Sequence, residues 1–190
     1  MSFAYRYLLP LLWIAWLLYW WALSFNVKTT ARREPLLSQF LHVAPLAIAV
    51  LLLFAPGTPF AQLDKRLLPA ASWLFWLGAA LTAAGLLFTV WARRCIGRNW
   101  SAVVTIKEGH EFVARGPYAL VRHPIYTGLL LAFAGAAVER GDLQGALALV
   151  FAFWAFWRKI RLEERWLRQH FGEPYAQYCR RVAALLPFVL

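Results

Sequence analysis

The sequence predicts an all-α integral membrane protein with about five transmembrane helices, the last two short and paired as a hairpin. First, the 190-residue chain is 62% hydrophobic and only 15% charged, whereas soluble domains carry roughly 25% charged residues. Second, its apolar residues form long uncharged segments, and a helix of about 20 such residues crosses a bilayer. The three longest uncharged segments are residues 7–27, 35–63 and 67–92.

The expected spans are residues 7–27, 36–56, 67–92, 125–138 and 143–157. Segment 7–27 lacks a small-residue cleavage site, so we expect it to be a retained span rather than a signal peptide. The sequence Pro56-Gly57-Thr58-Pro59 predicts a break between the second and third spans. The last two apolar segments are shorter than a comfortable span, which favours a tilted hairpin whose cytoplasmic ends continue past the bilayer.

Beyond the fifth span the helical pattern continues from Arg158 to Arg168 and is expected to end at Gly172-Glu173-Pro174. A further short helix is expected to begin at Tyr175 and to stop at Pro187. Residues 103–106 and 111–113 are compatible with a small β-hairpin that turns at Gly109. We interpret residues 1–190 as a single membrane domain, with a two-helix part at 1–66 and a core at 67–190.

The positions of the basic residues predict the orientation. With these spans, sixteen of the twenty Lys and Arg residues fall on one side of the membrane, so the positive-inside rule places the tail in the cytoplasm and the N-terminus outside. The net charge of +11 is explained by anionic lipid headgroups, because the basic residues lie beside hydrophobic segments. Nucleic-acid binding is not needed to explain it. We expect a protein of the bacterial inner membrane.

The cysteines and histidines suggest neither a disulfide nor a metal site. Cys95 and Cys179 both fall on the cytoplasmic side of the expected topology, where disulfides are rare. The four histidines lack the spacing of metal ligands. The sequence therefore predicts no bound metal.

Residues 116–128 combine turn-forming, aromatic and charged residues next to an apolar helix. Pro124 biases His123 away from helical backbone, so the imidazole is expected to project at a helix entrance. The helix beginning near Ile125 offers free N–H groups, and Arg122 adds a forked cation, both suited to a carboxylate. The alternative is a loop wedged at the lipid headgroups, with Arg122 on a phosphate.

A second polar cluster, Glu163-Glu164, lies about forty residues further along. Neighbouring residues on a helix point about 100° apart, so one carboxylate is expected to face inward and the other to pair with Arg161 or Arg168. The inward carboxylate suits ribose hydroxyls or an amino group. The alternative is a salt-bridged, solvated helix face.

Residues 90–190 together resemble the isoprenylcysteine carboxyl methyltransferase-like and phospholipid methyltransferase superfamily of integral membrane enzymes. The combination is specific although each piece alone is weak. The matching pieces are Gly97–Ser101, Gly116-Pro117-Tyr118, Arg122-His123-Pro124-x-Tyr126-x-Gly128, Glu163-Glu164 and Phe171-Gly172-x-x-Tyr175-x-x-Tyr178 with Val182 and Pro187.

The resemblance implies S-adenosylmethionine as methyl donor and a lipophilic or lipidated acceptor that arrives from the bilayer. It implies that the cofactor-binding residues are Gly116, Tyr118, His123, Pro124, Tyr126, Gly128, Glu163 and Glu164. A carboxylate acceptor needs an orienting cation, for which Arg122 is the first choice, followed by Arg98 and Arg180. An amine acceptor needs a base, for which His123 or one of the two glutamates is available.

Three other functions stay open at this point. A phospholipid amine N-methyltransferase fits the same superfamily. A sterol-reductase-like membrane enzyme would bind NADPH instead, and a membrane scaffold would bind lipid headgroups without a nucleotide-type ligand. The identity of the acceptor and the oligomeric state also stay open, with a monomer as one of the states considered.

Overall fold

The computed structural model describes residues 3–54 and 61–187 and shows a mostly helical protein. Six α-helices and two short β-strands follow one another along these residues. They are α1 (Phe3–Ser24), β1 (Thr30–Arg33), α2 (Leu36–Phe54), α3 (Ser72–Ile96), β2 (Thr105–Lys107), α4 (Pro124–Arg140), α5 (Leu143–Phe171) and α6 (Glu173–Arg181). The predicted break at Pro56–Pro59 lies outside the described residues.

Among the described residues, four helices are long and apolar enough to cross a membrane, namely α1, α2, α3 and α5. The fourth expected span, α4, has 17 residues and a length of about 25 Å, which is less than the ~30 Å of a bilayer core. Helix α5 is not short, because its 29 residues include the outward extension and end before Gly172, as predicted. The third span begins at Ser72 rather than at residue 67, since Pro69 precedes it.

Close contact between α3 and α4 depends on two pairs of glycines. A Cβ atom built on Gly128 would lie 2.6 Å from the carbonyl oxygen of Gly85, and one on Gly78 would lie 2.5 Å from that of Gly135. Between these pairs Thr82 donates a 3.2 Å hydrogen bond to the carbonyl of Ala132. Small residues at seven-residue spacing therefore bring the two antiparallel backbones together.

The strand pairing differs from the hairpin expected from the sequence. Strand β2 pairs in antiparallel fashion with β1, which lies about 75 residues earlier, and residues 111–113 form no strand. Gly109 does lie in a turn, with a φ of 57°. The hairpin prediction was wrong because the pattern of a short strand does not specify its partner, and here the N-terminal segment supplies one.

The N-terminal part of the chain is joined to α5 by a buried polar cluster. Glu34 accepts hydrogen bonds from the amide of Val104 and from Ser38, at 2.9 and 2.8 Å. Arg158 on α5 donates to the carbonyl of Ser38 and contacts Nδ1 of His42, both at 3.0 Å. The division at residue 66 stays a prediction, and this cluster links its two sides.

The segment that follows α5, up to residue 187, packs back on the bundle. Helix α6 begins at Glu173 with Pro174 in its first turn, and it ends at Arg181, six residues before the predicted stop at Pro187. Beyond α6 the carbonyls of Ala183 and Ala184 accept hydrogen bonds from the amides of Arg122 and His123. The terminal segment therefore holds the linker that leads into α4.

Candidate active site

A cavity of about 330 Å³ lies between the membrane helices, the segment 99–113 and α6. Its size is within the range of small-molecule sites, about 300–1,000 Å³. Apolar side chains from α1, α2, α4 and α5 form part of the wall, and they are Trp16, Trp20, Leu46, Leu129 and Phe156. Polar and aromatic side chains form another part, among them Tyr118, His123, Glu163, Tyr175 and Tyr178.

His123 lies between the two carboxylates predicted from the sequence. Its Nδ1 is 3.5 Å from Oε2 of Glu163, and its Nε2 is 3.3 Å from Oε1 of Glu164. Burial alone would lower the pKa of His123, but hydrogen bonds to both glutamates and their negative charges outweigh it and raise the pKa above its ordinary value. The arrangement favours an imidazolium that donates from both ring nitrogens.

Tyr126 orients the carboxylate of Glu163. Its hydroxyl donates a 2.5 Å hydrogen bond to Oε1 of Glu163. The ring is stacked between His123 and Phe156, with centroid distances of 5.7 and 5.2 Å and interplanar angles of 17° and 18°. Because two aromatic faces hold the phenol, Glu163 presents its carboxylate to the cavity in a fixed orientation.

The two glutamates occupy different environments. Glu163 lines the cavity, whereas Glu164 lies behind it. Both Nε and Nη2 of Arg122 lie 2.7 Å from Oε1 of Glu164. The sequence argument that one carboxylate faces inward and the other binds an arginine therefore agrees with the geometry, although the arginine is Arg122 and Arg168 is a more distant partner at 3.7 Å.

Arg122 is occupied by contacts within the chain. Besides Glu164, its Nη1 donates to the carbonyls of Cys179 and Val182. These bonds fasten the linker before α4 to α5 and to the end of α6. The guanidinium still contributes to the cavity wall, but most of its donors serve the protein itself, which favours a positioning role.

The other predicted site residues are distributed unevenly. Tyr118 and Pro124 line the cavity, whereas Gly116 and Gly128 do not. Gly116 has a φ of 60°, and a Cβ there would lie 2.9 Å from Sγ of Cys95, so this position requires glycine for the turn and for close packing. Gly128 contacts α3, as described above.

Arg180 lies apart from the cavity. Its side chain is 74% exposed on α6 and pairs with Glu173 at 3.7 Å. Arg98, the other reserve cation, is also exposed. The catalytic roles assigned to these residues stay predictions that the geometry of the cavity does not support.

Lys159 is a cavity residue that the sequence argument missed. Its Nζ donates a 2.6 Å hydrogen bond to the carbonyl of Ala102 and lies 5.4 Å from the ring centroid of Tyr126. Lys159 precedes Glu163 by four residues, so helical spacing alone places both on one face of α5. That spacing was the available signal.

His110 was missed as well, because nothing in its local sequence indicates a ring at the cavity. Nδ1 accepts a 3.3 Å hydrogen bond from the amide of Lys107, and the ring lines the cavity. Burial first, and then the nearby His170, Lys28 and Lys107, lower the pKa of His110 to about 4. His110 is therefore a neutral imidazole at neutral pH.

The described residues contain no group of three His, Cys, Asp or Glu side chains able to hold a metal ion. Cys95 and Cys179 are both free thiols. The expected absence of a metal stays a prediction.

Known proteins resemble this chain over much of its length. It is 32% identical over 120 residues to protein-S-isoprenylcysteine O-methyltransferase B of Arabidopsis thaliana, covering 62% of this chain and 61% of that protein. It is 27% identical over 172 residues to a probable protein-S-isoprenylcysteine O-methyltransferase of Oryza sativa subsp. indica, covering 88% and 87%. The chain thus spans about three fifths of the length of the Arabidopsis relative.

A relative with a different name is also similar to this chain. Cobalt-zinc-cadmium resistance protein CzcN of Cupriavidus metallidurans is 36% identical over 115 residues, which cover 59% of this chain and 51% of that protein. The model of the phospholipid methyltransferase family matches residues 73–174, which is more than half of the chain and contains most of the cavity wall. The resemblance expected from the sequence is confirmed, and the chain belongs to the phospholipid methyltransferase family.

Proposed function

We propose that this protein transfers a methyl group from S-adenosylmethionine to a lipophilic acceptor at the boundary between membrane and cytosol. The observation that carries the proposal is the composition of the cavity wall. Apolar side chains of membrane helices and a fixed cluster of carboxylate, imidazole and phenol groups line the same cavity. A lipid tail suits the first set, and a polar, charged donor suits the second.

The residues of the polar wall fit S-adenosylmethionine chemically. Glu163, held by Tyr126 and His123, suits the positively charged part of the donor. The aromatic faces of Phe171, Tyr175 and Tyr178 suit its adenine base. When bound, the donor supplies an activated methyl group on a positively charged sulfur, so the protein mainly has to align the acceptor and exclude water.

A carboxylate acceptor fits the charges of the cavity better than an amine does. Lys159 and Arg122 are cations on the wall, and a carboxylate needs orientation but no base at neutral pH. An amine would need a base, and both nitrogens of His123 already face carboxylates at 3.3 and 3.5 Å. We therefore favour O-methylation of an isoprenylcysteine-type carboxylate or related lipid, with phospholipid N-methylation as the alternative.

The same proposal includes an orientation. The cytoplasmic face is the side that holds the basic end of α5, helix α6 and the segment 99–113. This side carries most of the basic residues, which the positive-inside rule assigns to the cytoplasm. The water-soluble donor would enter from there while the acceptor arrives through the bilayer.

The test is a transfer assay with purified protein in lipid nanodiscs and methyl-labelled S-adenosylmethionine. One reaction receives an S-farnesylcysteine free acid, a second phosphatidylethanolamine, and a third no acceptor. We expect label in the methyl ester of the first. Label in phosphatidylethanolamine alone would mean that the acceptor is an amine and not a carboxylate. Saturable NADPH binding without S-adenosylmethionine binding would indicate the reductase alternative.

Matched variants connect the activity to the cavity. Glu163→Gln removes the charge that faces the cavity, and we expect a loss of donor binding and of transfer. Glu173→Gln removes an exposed glutamate on α6, 62% exposed, and serves as the control with unchanged transfer. Equal activity in both variants would contradict the assignment of Glu163.

A further inference from the structure

Exposed side chains form a continuous stripe along the outer face of α5. The stripe is apolar in its first half and basic in its second half. Successive members are three or four residues apart, so they share one face of the helix. The stripe consists of Val150, Trp154, Trp157, Arg161, Arg165 and Arg168, all of which are exposed.

The apolar half of the stripe suits hydrocarbon. Val150, Trp154 and Trp157 are 62%, 51% and 41% exposed on a helix that is long and apolar enough to span a membrane. The guanidinium carbon of Arg161 lies 5.3 Å from the centroid of the Trp157 ring. Tryptophan and arginine together are typical of the level of the lipid headgroups.

The basic half of the stripe has an excess of positive charge. Arg161, Arg165 and Arg168 line a surface hollow together with Glu164. That carboxylate is already bound by Arg122 at 2.7 Å, and only Arg168 approaches it from the stripe, at 3.7 Å. Within the described part of the chain, Arg161 and Arg165 have no carboxylate partner.

We propose that this stripe is a binding site for one anionic phospholipid, with the phosphate on Arg161 and Arg165 and an acyl chain along Trp157, Trp154 and Val150. The order of the groups along the helix matches the order in a lipid, chain first and phosphate next. Arginine forks bind phosphate oxygens in pairs. An acidic protein would match the charges, but the adjoining apolar half would have no role in binding it.

The proposed lipid has a structural consequence and does not depend on methyl transfer. Glu163 and Glu164 are on the same turn of α5 as Arg161 and Arg165. A lipid bound there would fix the depth of this turn at the headgroups, and with it the depth of the cavity wall. This lipid is separate from the acceptor, because the stripe faces outward and its residues do not line the cavity.

The test titrates detergent-solubilised protein with dioleoyl phosphatidylglycerol and measures the bound lipid by native mass spectrometry. Dioleoyl phosphatidylcholine has the same chains with a neutral headgroup, and inorganic phosphate has the anion without chains. The double variant Arg161→Gln/Arg165→Gln removes the proposed phosphate ligands. The double variant Arg115→Gln/Arg181→Gln removes the same charge from exposed positions elsewhere.

We expect the wild type and the control variant each to bind one phosphatidylglycerol molecule tightly and to bind phosphatidylcholine more weakly. The stripe variant should bind phosphatidylglycerol about 25-fold more weakly, from roughly fivefold for each arginine. Equal affinity in the two double variants would overturn the site, and so would equal binding of the two lipids. Saturable binding of inorganic phosphate with the same affinity as phosphatidylglycerol would also overturn it. A circular dichroism melt of each variant confirms that it is folded.

Discussion

The hydroxyl of Tyr126 donates a 2.5 Å hydrogen bond to Glu163, from a ring held between His123 and Phe156. Tyr126→Phe keeps the stacked ring and removes only the bond. A hydrogen bond to a charged group contributes about 1.5–3 kcal/mol, so we expect the specificity constant for the donor to fall roughly 10- to 100-fold. Tyr19→Phe, in a half-buried position on α1, is the control. Unchanged kinetics in Tyr126→Phe would contradict an orienting role.

The raised pKa of His123 predicts how the stability of the protein depends on pH. A histidine whose pKa is higher in the folded state binds its proton more tightly there than in the unfolded chain. The extra stability is fully present below its ordinary pKa of 6.5 and disappears as the pH rises through the folded value. His123→Gln should therefore destabilise the protein most at low pH and progressively less at higher pH.

Thermal unfolding between pH 6 and pH 9 measures this difference. The gap between the midpoints of wild type and His123→Gln should narrow as the pH rises. A gap that is constant or that widens would mean that His123 is not held as an imidazolium by Glu163 and Glu164.

The lowered pKa of His110 predicts that stability is lost as the pH falls, which is the opposite of the trend for His123. Its pKa of about 4 in the folded protein is below the ordinary 6.5, so the unfolded chain binds the proton first as the pH falls. The stabilising contribution is present above about pH 6.5 and is lost toward pH 4. His110→Gln should lose less stability than the wild type over this range. Parallel unfolding curves for the two proteins would contradict the half-buried, neutral ring.

The helices were predictable because their signal is local. Long uncharged segments and the stop at Gly172 follow from hydropathy and backbone preference, and α5 ends where the sequence indicates. The partner of β2 was not predictable, since pairing with β1 depends on how distant segments meet. The fifth span was expected to be short because the charged outer half of α5 was counted separately from its apolar half, although the continuation of the helix to Gly172 was predicted.

The candidate site was predictable in its residue types but only partly in its contacts. Glu163, His123 and Tyr126 lie together as the motif suggested. The sequence does not reveal that Arg122 is occupied by Glu164 and by main-chain carbonyls, because those partners come from α5 and from the end of α6. Lys159 was overlooked although its spacing from Glu163 was visible.

Gly128 has two competing roles that one substitution separates. A methyl group at this position would lie 2.6 Å from the carbonyl oxygen of Gly85, which belongs to the backbone and cannot rotate away. Gly128→Ala should therefore lower the free energy of unfolding by about 1–3 kcal/mol and leave the affinity for S-adenosylmethionine of the folded protein unchanged. Thermal melts and equilibrium binding measure the two effects. Weaker donor binding with an unchanged melt would support the cofactor role expected from the sequence.

Lys159 and Arg122 compete for the role of the cation that meets the acceptor carboxylate. All three guanidinium nitrogens of Arg122 are engaged, by Glu164 and by two carbonyls, whereas Lys159 has one hydrogen bond among the described residues, to the carbonyl of Ala102. Lys159 therefore has free N–H groups at the wall, and Arg122 has few. We expect Lys159→Gln to raise the KM for the carboxylate acceptor roughly 10-fold, which corresponds to the loss of about one charged hydrogen bond. The affinity for S-adenosylmethionine should not change.

Initial rates at varied acceptor concentration measure this effect, with the exposed Lys65→Gln as the control and Lys159→Arg as the conservative rescue. Arg122→Gln should instead lower the melting temperature and weaken donor binding, because it releases Glu164 and the end of α6. The reverse pattern would be an acceptor KM that changes only in the Arg122 variant, together with an unchanged melting temperature of that variant. It would mean that Arg122 binds the acceptor carboxylate, as the sequence first suggested. The two arms thus separate a cation that touches the substrate from one that holds the site in place.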